Sequence, residues 1–141
     1  KRLELGLELG VDRAINIEET DPVEAVRAIN PPGADVVFEC SGAGPAAELL
    51  FDLIRPQGRY SQVGLFGRPI SLDIDQICYK EITVTGSNAS VPWAWKRAIQ
   101  LIGSGLVQTA PLVTHLYRLD QWEEAFQRFR AKEGVKHMFA F

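Results

Sequence analysis

The residues best suited to chemistry form one glycine-rich run, residues 41–47, with the sequence SGAGPAA. Its G-x-G-x-x-A spacing, directly after an apolar strand and at the start of a helix, is typical of a dinucleotide-binding loop. Glycines in such a loop let the backbone approach a pyrophosphate, and the N–H groups of the first helical turn bind it. The first hypothesis for this run is therefore a phosphate-binding turn.

Two features argue against pyrophosphate binding by this run. The dinucleotide fingerprint needs an acidic residue about 20 positions further on, and the sequence has Gln62-Val63-Gly64 there. Pro45 also removes one N–H donor at the start of the helix. These residues favour the alternative, a strand-to-helix turn whose glycines permit tight packing.

The histidines and cysteines form no evident catalytic or metal-binding set. His115 and His137 have no acid, base or co-ligand at a useful spacing in the sequence. Cys40 and Cys78 lack the C-x-x-C spacing of a metal site, and we expect both to be reduced, buried thiols of a cytoplasmic protein. We therefore assign no catalytic residue and no metal ligand.

Predicted strands and helices alternate along most of the chain. Alternation with short connections indicates an α/β fold with a parallel sheet and right-handed crossovers. The run at 35–40 is nearly continuous in apolar residues, so we expect a central strand that is covered on both faces. Strands are predicted at 14–17, 35–40, 59–64 and 82–85, and helices at 2–9, 22–29, 45–54 and 92–102.

The pattern changes after residue 109. An extended piece at 112–114, an amphipathic helix at 119–129 with Asp120 as its N-cap, and a last strand at 136–141 are predicted. The domain prediction is thus a partial dinucleotide-binding domain, 1–109, followed by a C-terminal segment, 110–141. Three tryptophans in apolar stretches are expected to pack in the core or at an interface, namely Trp93, Trp95 and Trp122.

Composition excludes two classes of partner. The chain has 141 residues and a formal net charge of −3, and its Lys and Arg residues are scattered. This distribution offers no basic stripe for a nucleic acid. The apolar runs are far shorter than the roughly 20 residues that cross a bilayer, so no membrane span is predicted.

Several strings along the chain, in their order and spacing, resemble the medium-chain, zinc-type alcohol and polyol dehydrogenases, particularly sorbitol and threonine dehydrogenases. They lie at 2–10, 33–42, 53–59, 63–67, 80–87 and 111–115, so the resemblance covers essentially the whole chain. It implies the second half of a Rossmann-like parallel sheet, with a C-terminal extension that in the family returns to the catalytic domain. The family's pyrophosphate loop and zinc ligands would have no counterpart in these residues.

The resemblance implies nine residues that contact a nicotinamide cofactor. Arg2 would approach the adenosine ribose, while Ser41 and Gly42 would lie along the adenosine side. Glycines at the carboxyl ends of parallel strands let a backbone approach a flat ring. The nicotinamide ring and its carboxamide would be bordered by Val63, Gly64 and Leu65, and by Gly86, Ser87 and Asn88.

The function that follows is part of the cofactor cleft of an NAD(P)-dependent dehydrogenase. The chain alone is expected to be inactive and to bind NAD or NADP weakly or not at all. The alternative is a non-catalytic binding or assembly module that forms homo-oligomers through exposed sheet edges. Either the strand at 14–17 pairs directly with 35–40, giving a four-stranded sheet, or a second copy supplies the neighbour. Dimerisation through the edge at 82–85 is also expected.

Overall fold

The computed structural model describes residues 1–141 as two compact units. The sheet unit comprises Ile15–Ala89, and the terminal unit comprises Lys1–Ala14 together with Ser90–Phe141. The helices are α1 (Arg2–Glu8), α2 (Pro22–Ile29), α3 (Gly44–Leu53), α4 (Asp75–Tyr79), α5 (Pro92–Gly103) and α6 (Trp122–Arg130). The strands are β1 (Ala34–Glu39), β2 (Ile54–Gln62), β3 (Thr83–Gly86), β4 (Val113–Arg118) and β5 (Lys136–Ala140). The predicted domain division at residue 109 stays a prediction.

The sheet unit contains a three-stranded parallel sheet in the order β1-β2-β3. Its register places Glu39 beside Gln62, and Gln62 beside Gly86. Because the strands run in the same direction, their carboxyl ends meet at one edge of the sheet. The predicted fold class, α/β with a parallel Rossmann-like sheet, is confirmed.

A small apolar core lies between this sheet and α3. Its buried members are Val37, Phe51, Ile54, Tyr60 and Ile82. The ring of Phe51 on α3 stacks on that of Tyr60 on β2, with centroids 5.5 Å apart. Helix α3 ends at Leu53 and β2 begins at the next residue, so the helix and the strand under it are joined without a loop.

The predicted strand at 14–17 does not form, and the predicted four-stranded sheet is therefore wrong. β1 is an edge strand and is not covered on both faces, since Val36 is 47% and Phe38 64% exposed. Alternate residues of a strand point to opposite faces. Val37 and Glu39 are buried, so only one face of β1 is packed.

The terminal unit holds a second, two-stranded parallel sheet formed by β4 and β5. Tyr117 on β4 and Ala125 on α6 are its buried residues. A 3-10 turn at Leu119–Gln121 precedes α6, so this helix begins later than predicted. Asp120 is not its N-cap, because the Asp120 carboxylate accepts hydrogen bonds from the Arg118 guanidinium at 3.1 and 2.9 Å.

Two further predictions concern burial, and the burial of the cysteines is wrong. Cys40 and Cys78 are free thiols, but both are exposed, because Cys40 lies just past the end of β1 and Cys78 lies on the outer side of the short helix α4. The tryptophans do not pack in the core, as Trp93, Trp95 and Trp122 are 71%, 63% and 53% exposed, and their packing at an interface stays a prediction. None of the helices combines the length and the apolar character needed to cross a bilayer.

Candidate functional site

Three loops follow the strands of the sheet unit at their carboxyl ends. The first loop (residues 41–44) includes the first residue of α3, the second loop is 63–65, and the third loop (86–88) includes the last residue of β3. The backbone N–H groups of Val63 and Gly64 both donate to the carbonyl oxygen of Glu39, each at 2.8 Å. The N–H of Ser87 donates to the carbonyl oxygen of Gln62 at 2.9 Å. The second and third loops are thus each bound to the last residue of the neighbouring strand.

The structure brings eight of the nine predicted cofactor-contacting residues to these loops. Ser41 and Gly42 lie in the first loop, and the others occupy the second and third loops in chain order. The ninth residue, Arg2, lies on α1 in the terminal unit. There its Nε donates to the carbonyl oxygen of Gly134 at 2.9 Å, and its predicted contact with a ribose stays a prediction.

A buried carboxylate lies beneath the first loop. Glu39, at the end of β1, is only 2% exposed. Its Oε1 accepts hydrogen bonds from the Ser41 N–H at 2.8 Å and from the Ser41 hydroxyl. Its Oε2 accepts from the Gly42 N–H at 3.0 Å and from Nε2 of Gln62 at 2.8 Å. A glutamate in this strand therefore binds the turn that follows it.

This arrangement explains the glycine-rich run. N–H groups of a strand-to-helix turn can bind an anion, and here the anion is the protein's own Glu39 carboxylate. The Ala43 N–H donates to the Ser41 hydroxyl at 3.2 Å. The geometry supports the packing-turn alternative, because the N–H groups of Ser41 and Gly42 already have an acceptor within the chain.

Gln62 connects the carboxylate to the second loop. Its Nε2 donates to Glu39 and also to the carbonyl oxygen of Gly64, both at 2.8 Å. Its Oε1 accepts a hydrogen bond from the Tyr60 hydroxyl. The polar end of β2, unusual for the middle strand of a sheet, is therefore accounted for by a hydrogen-bonded network with the neighbouring strand.

The electrostatics of this network follow from burial and hydrogen bonding. Burial raises the pKa of the Glu39 carboxyl, but donors on Ser41, Gly42 and Gln62 more than offset it, so the pKa lies below its usual range. The pKa of the Tyr60 hydroxyl is raised, first by burial and then by the negative charge of Glu39. Glu39 is thus ionised and Tyr60 is a neutral donor near neutral pH.

Glycines at two of the loop positions are required by close backbone approach. A Cβ on Gly64 would overlap the Glu39 carboxylate and the Gly42 backbone. A Cβ on Gly42 would overlap the carbonyl oxygen of Leu65, and the φ angle of Gly42 is +67°. A Cβ on Gly86 would meet no atom within 4 Å. The first and second loops therefore touch backbone to backbone, and the third leaves open space.

The outer side of this edge offers groups suited to a flat, polar ligand. Val63 and Leu65 are 42% and 76% exposed on either side of Gly64. Apolar side chains beside a glycine can pack on a flat ring, such as that of a nicotinamide. Ser87 and Asn88, which follow the neighbouring strand β3, are also exposed.

Glu39 and Gln62 are the site residues that the sequence did not reveal. They are paired by the strand register, which the sequence does not give directly. One available signal was the acidic side chain inside the apolar run at 35–40, because a buried charge needs hydrogen-bonding partners. Gln62, the polar residue at the end of the following strand, is such a partner.

The histidines are also closer than the sequence suggested. His115 and His137 are paired between β4 and β5, and their rings stack with centroids 4.6 Å apart. Nδ1 of His137 lies 3.2 Å from the Tyr117 hydroxyl. No three His, Cys, Asp or Glu side chains of the structure come together as a metal site.

Comparison with known proteins identifies the family. Residues 1–104 match the zinc-binding dehydrogenase family, and the chain belongs to it. Sorbitol dehydrogenase of Halalkalibacterium halodurans is 42% identical over 137 residues, which are 96% of this chain and 40% of that protein. L-threonine 3-dehydrogenase of Pyrococcus abyssi is 37% identical over 142 residues, 98% of this chain and 41% of that protein.

The fold of a solved relative agrees with this assignment. Alcohol dehydrogenase TADH from Thermus sp. ATN1 superimposes with a TM-score of 0.87 and 30% identity, over 96% of this chain and 40% of that one. The chain thus spans about 40% of the length of the curated relatives it matches. The resemblance to zinc-type alcohol and polyol dehydrogenases is confirmed.

Proposed function

We propose that this chain forms one wall of the nicotinamide-cofactor cleft of an NAD(P)-dependent, zinc-type alcohol or polyol dehydrogenase. The observation that carries the proposal is the meeting of three glycine-containing loops at the carboxyl edge of a parallel sheet. In open α/β sheets, ligands bind outside the carboxyl ends of the strands. Family membership supports hydride transfer to or from a nicotinamide as the chemistry of the complete protein.

Each loop would have its own part in holding the cofactor. Ser41 and Gly42 would lie along the adenosine side, and Arg2 would approach the ribose. Leu65 and Val63 would pack on the nicotinamide ring, with Gly64 leaving room for it. The carboxamide would bind backbone groups of the third loop, namely those of Gly86, Ser87 and Asn88.

A cytoplasmic location is also part of the proposal. The chain has two cysteines and both are free thiols in the structure. Unpaired cysteines are usual in reducing compartments, where disulfides seldom persist.

The test is to graft residues 1–141 into the sorbitol dehydrogenase of Halalkalibacterium halodurans in place of the matching 40% of that protein. The graft is expected to bind NADH, measured by energy transfer from tryptophan to the reduced ring, and to oxidise sorbitol. The unmodified host is the control. A graft that folds, by circular dichroism, and has lost NADH binding would contradict the proposed function.

A second candidate function, assembly through sheet edges, is favoured by one observation. β1 pairs with β2 on one side only, and Phe38 is 64% exposed. An unpaired edge strand is a template for a second copy. The opposite edge is equally open, since all four residues of β3 are exposed. Val84→Pro removes an N–H donor there and is expected to reduce the oligomer size in light scattering. An unchanged size would refute pairing through β3.

A further inference from the structure

The carboxylate of Glu39 is a buried charge that only neutral groups stabilise. It is 2% exposed, and every group that donates to it is neutral: two backbone N–H groups, one hydroxyl and one carboxamide. Burying a charge is costly unless hydrogen bonds replace its hydration. A side chain kept charged in this way holds its donors in fixed positions, because each of them stabilises the same anion.

The donors come from the first loop and from the end of β2. Ser41 and Gly42 belong to the first loop, while Gln62 ends β2 and donates from the same Nε2 to the Gly64 carbonyl oxygen in the second loop. The backbone carbonyl of Glu39 also accepts from Val63 and Gly64. One residue therefore binds the first loop with its side chain, and the second loop with its carbonyl and through Gln62.

We infer that Glu39 is a positioning residue, whose carboxylate serves as an internal anion that holds the first and second loops in register for the cofactor. Glu39 itself does not touch the ligand in this account. It acts through Gln62 and through the backbone of the turn. Removing the charge of Glu39 releases both loops. The release includes the Val63 and Gly64 amides, although the carbonyl oxygen that accepts from them is unchanged.

The role of the loops rests on the proposed function, so the test measures the hydrogen bonds of the 141-residue chain without a cofactor. Amide hydrogen exchange is followed by NMR in the wild type and in Glu39→Gln. That variant keeps the backbone carbonyl that accepts from Val63 and Gly64. Glu48→Gln, which removes an exposed carboxylate on α3, is the matched control.

In Glu39→Gln, exchange is expected to be faster by about tenfold or more at Ser41 and Gly42, which lose hydrogen bonds to a charged group. The same increase is expected at Val63 and Gly64, because Gln62 no longer ties the second loop to a charged acceptor. The control should leave all four amides as in the wild type. Faster exchange confined to Ser41 and Gly42 would overturn the inference, because Glu39 would then be a local cap of one loop. Unchanged exchange at all four would overturn it too.

A second variant covers the case in which Glu39→Gln fails to fold. Gln62→Met keeps the length of the side chain and removes the donor shared by Glu39 and Gly64. Faster exchange in both the first and the second loop is expected. Faster exchange in the second loop alone would show that the loops are not coupled and would overturn the inference.

A chemical rescue tests whether charge is what matters. Glu39→Ala leaves the donors of Ser41 and Gly42 without their acceptor. Added formate should slow the exchange of these two amides again, whereas formamide, similar in size and neutral, should not. Equal slowing by both compounds, or by neither, would overturn the role of an internal anion.

Discussion

The two parallel sheets of this chain are built on similar plans but are stabilised differently. In the sheet unit, three strands and α3 enclose a core in which Phe51 stacks on Tyr60, and Ile54 is 2% exposed. In the terminal unit, two strands carry α6, and Tyr117 and Ala125 are the buried apolar residues. The third strand lets the sheet unit bury more apolar surface than the two-stranded sheet does.

The terminal unit buries fewer apolar residues, and imidazole and aromatic rings stack along its sheet. His115, Tyr117 and His137 stack with interplanar angles of 4° to 8°. Phe126 and Phe129 on α6 are 52% and 65% exposed. In the sheet unit the core and the polar network below the loops share Tyr60, which packs on Phe51 and donates to Gln62.

The largest difference between the units is expected from truncating an aromatic side chain. Phe51→Ala should lower the free energy of unfolding by about 3–5 kcal/mol, because it leaves a cavity against Tyr60. Phe126→Ala, at a half-exposed position on α6, should cost less than about 1 kcal/mol. Urea unfolding followed by circular dichroism measures both. Equal losses would contradict the contrast between the two units.

The next effect separates two glycines of the candidate site. Gly64→Ala should destabilise the chain by about 1–3 kcal/mol, because its Cβ overlaps the Glu39 carboxylate and the Gly42 backbone. Gly86→Ala should be close to neutral, since its Cβ meets no atom within 4 Å. Thermal unfolding of the two variants measures both effects. A neutral Gly64→Ala would show that the two loops do not touch as described.

Acid should act on the sheet unit through Glu39. The pKa of this carboxyl is lowered in the folded chain, so its contribution to stability is complete above the unfolded value of 4.5. That contribution is lost as pH falls below this value through the lower folded-state pKa. Glu39→Gln should therefore be less stable at neutral pH and lose less stability on acidification. Parallel pH curves for wild type and variant would contradict this.

The smallest expected effect lies in the terminal unit. Tyr117→Phe removes the hydroxyl that lies 3.2 Å from Nδ1 of His137 and should cost about 0.5–1.5 kcal/mol. Tyr79→Phe is the control, because Tyr79 is 77% exposed. Urea unfolding of both variants decides the point. A larger loss for the control would mean that the stacked rings are not held by this hydrogen bond.

The sequence predicted the helices and strands more reliably than the burial of their residues. The helix predicted at 22–29 forms as α2, and Asp21 caps it with its Oδ1 accepting from the Val23 N–H at 2.7 Å, because capping depends on neighbours in the chain. The apolar run at 35–40 is indeed a strand, yet Phe38 is exposed. Burial depends on what packs against a strand, and apolar composition alone does not reveal that.

The site was predictable only in part, for a similar reason. The glycines of the loops are visible as turn residues, and the family resemblance assigned their places along a cofactor. The hydrogen bond between Glu39 and Gln62 joins residues on different strands, and it depends on the register that pairs them. The stacking of His115 on His137 depends equally on a register, that of β4 and β5.

In the proposed cleft, the three loops contact a nicotinamide cofactor. Hydrogen–deuterium exchange of the sorbitol dehydrogenase graft, read by mass spectrometry with and without NADH, tests this contact. We predict slower exchange on NADH binding in peptides that contain residues 41–44, 63–65 and 86–88, and unchanged exchange in the peptide of α6. Bound NADH with no protection of the three loops would contradict the account.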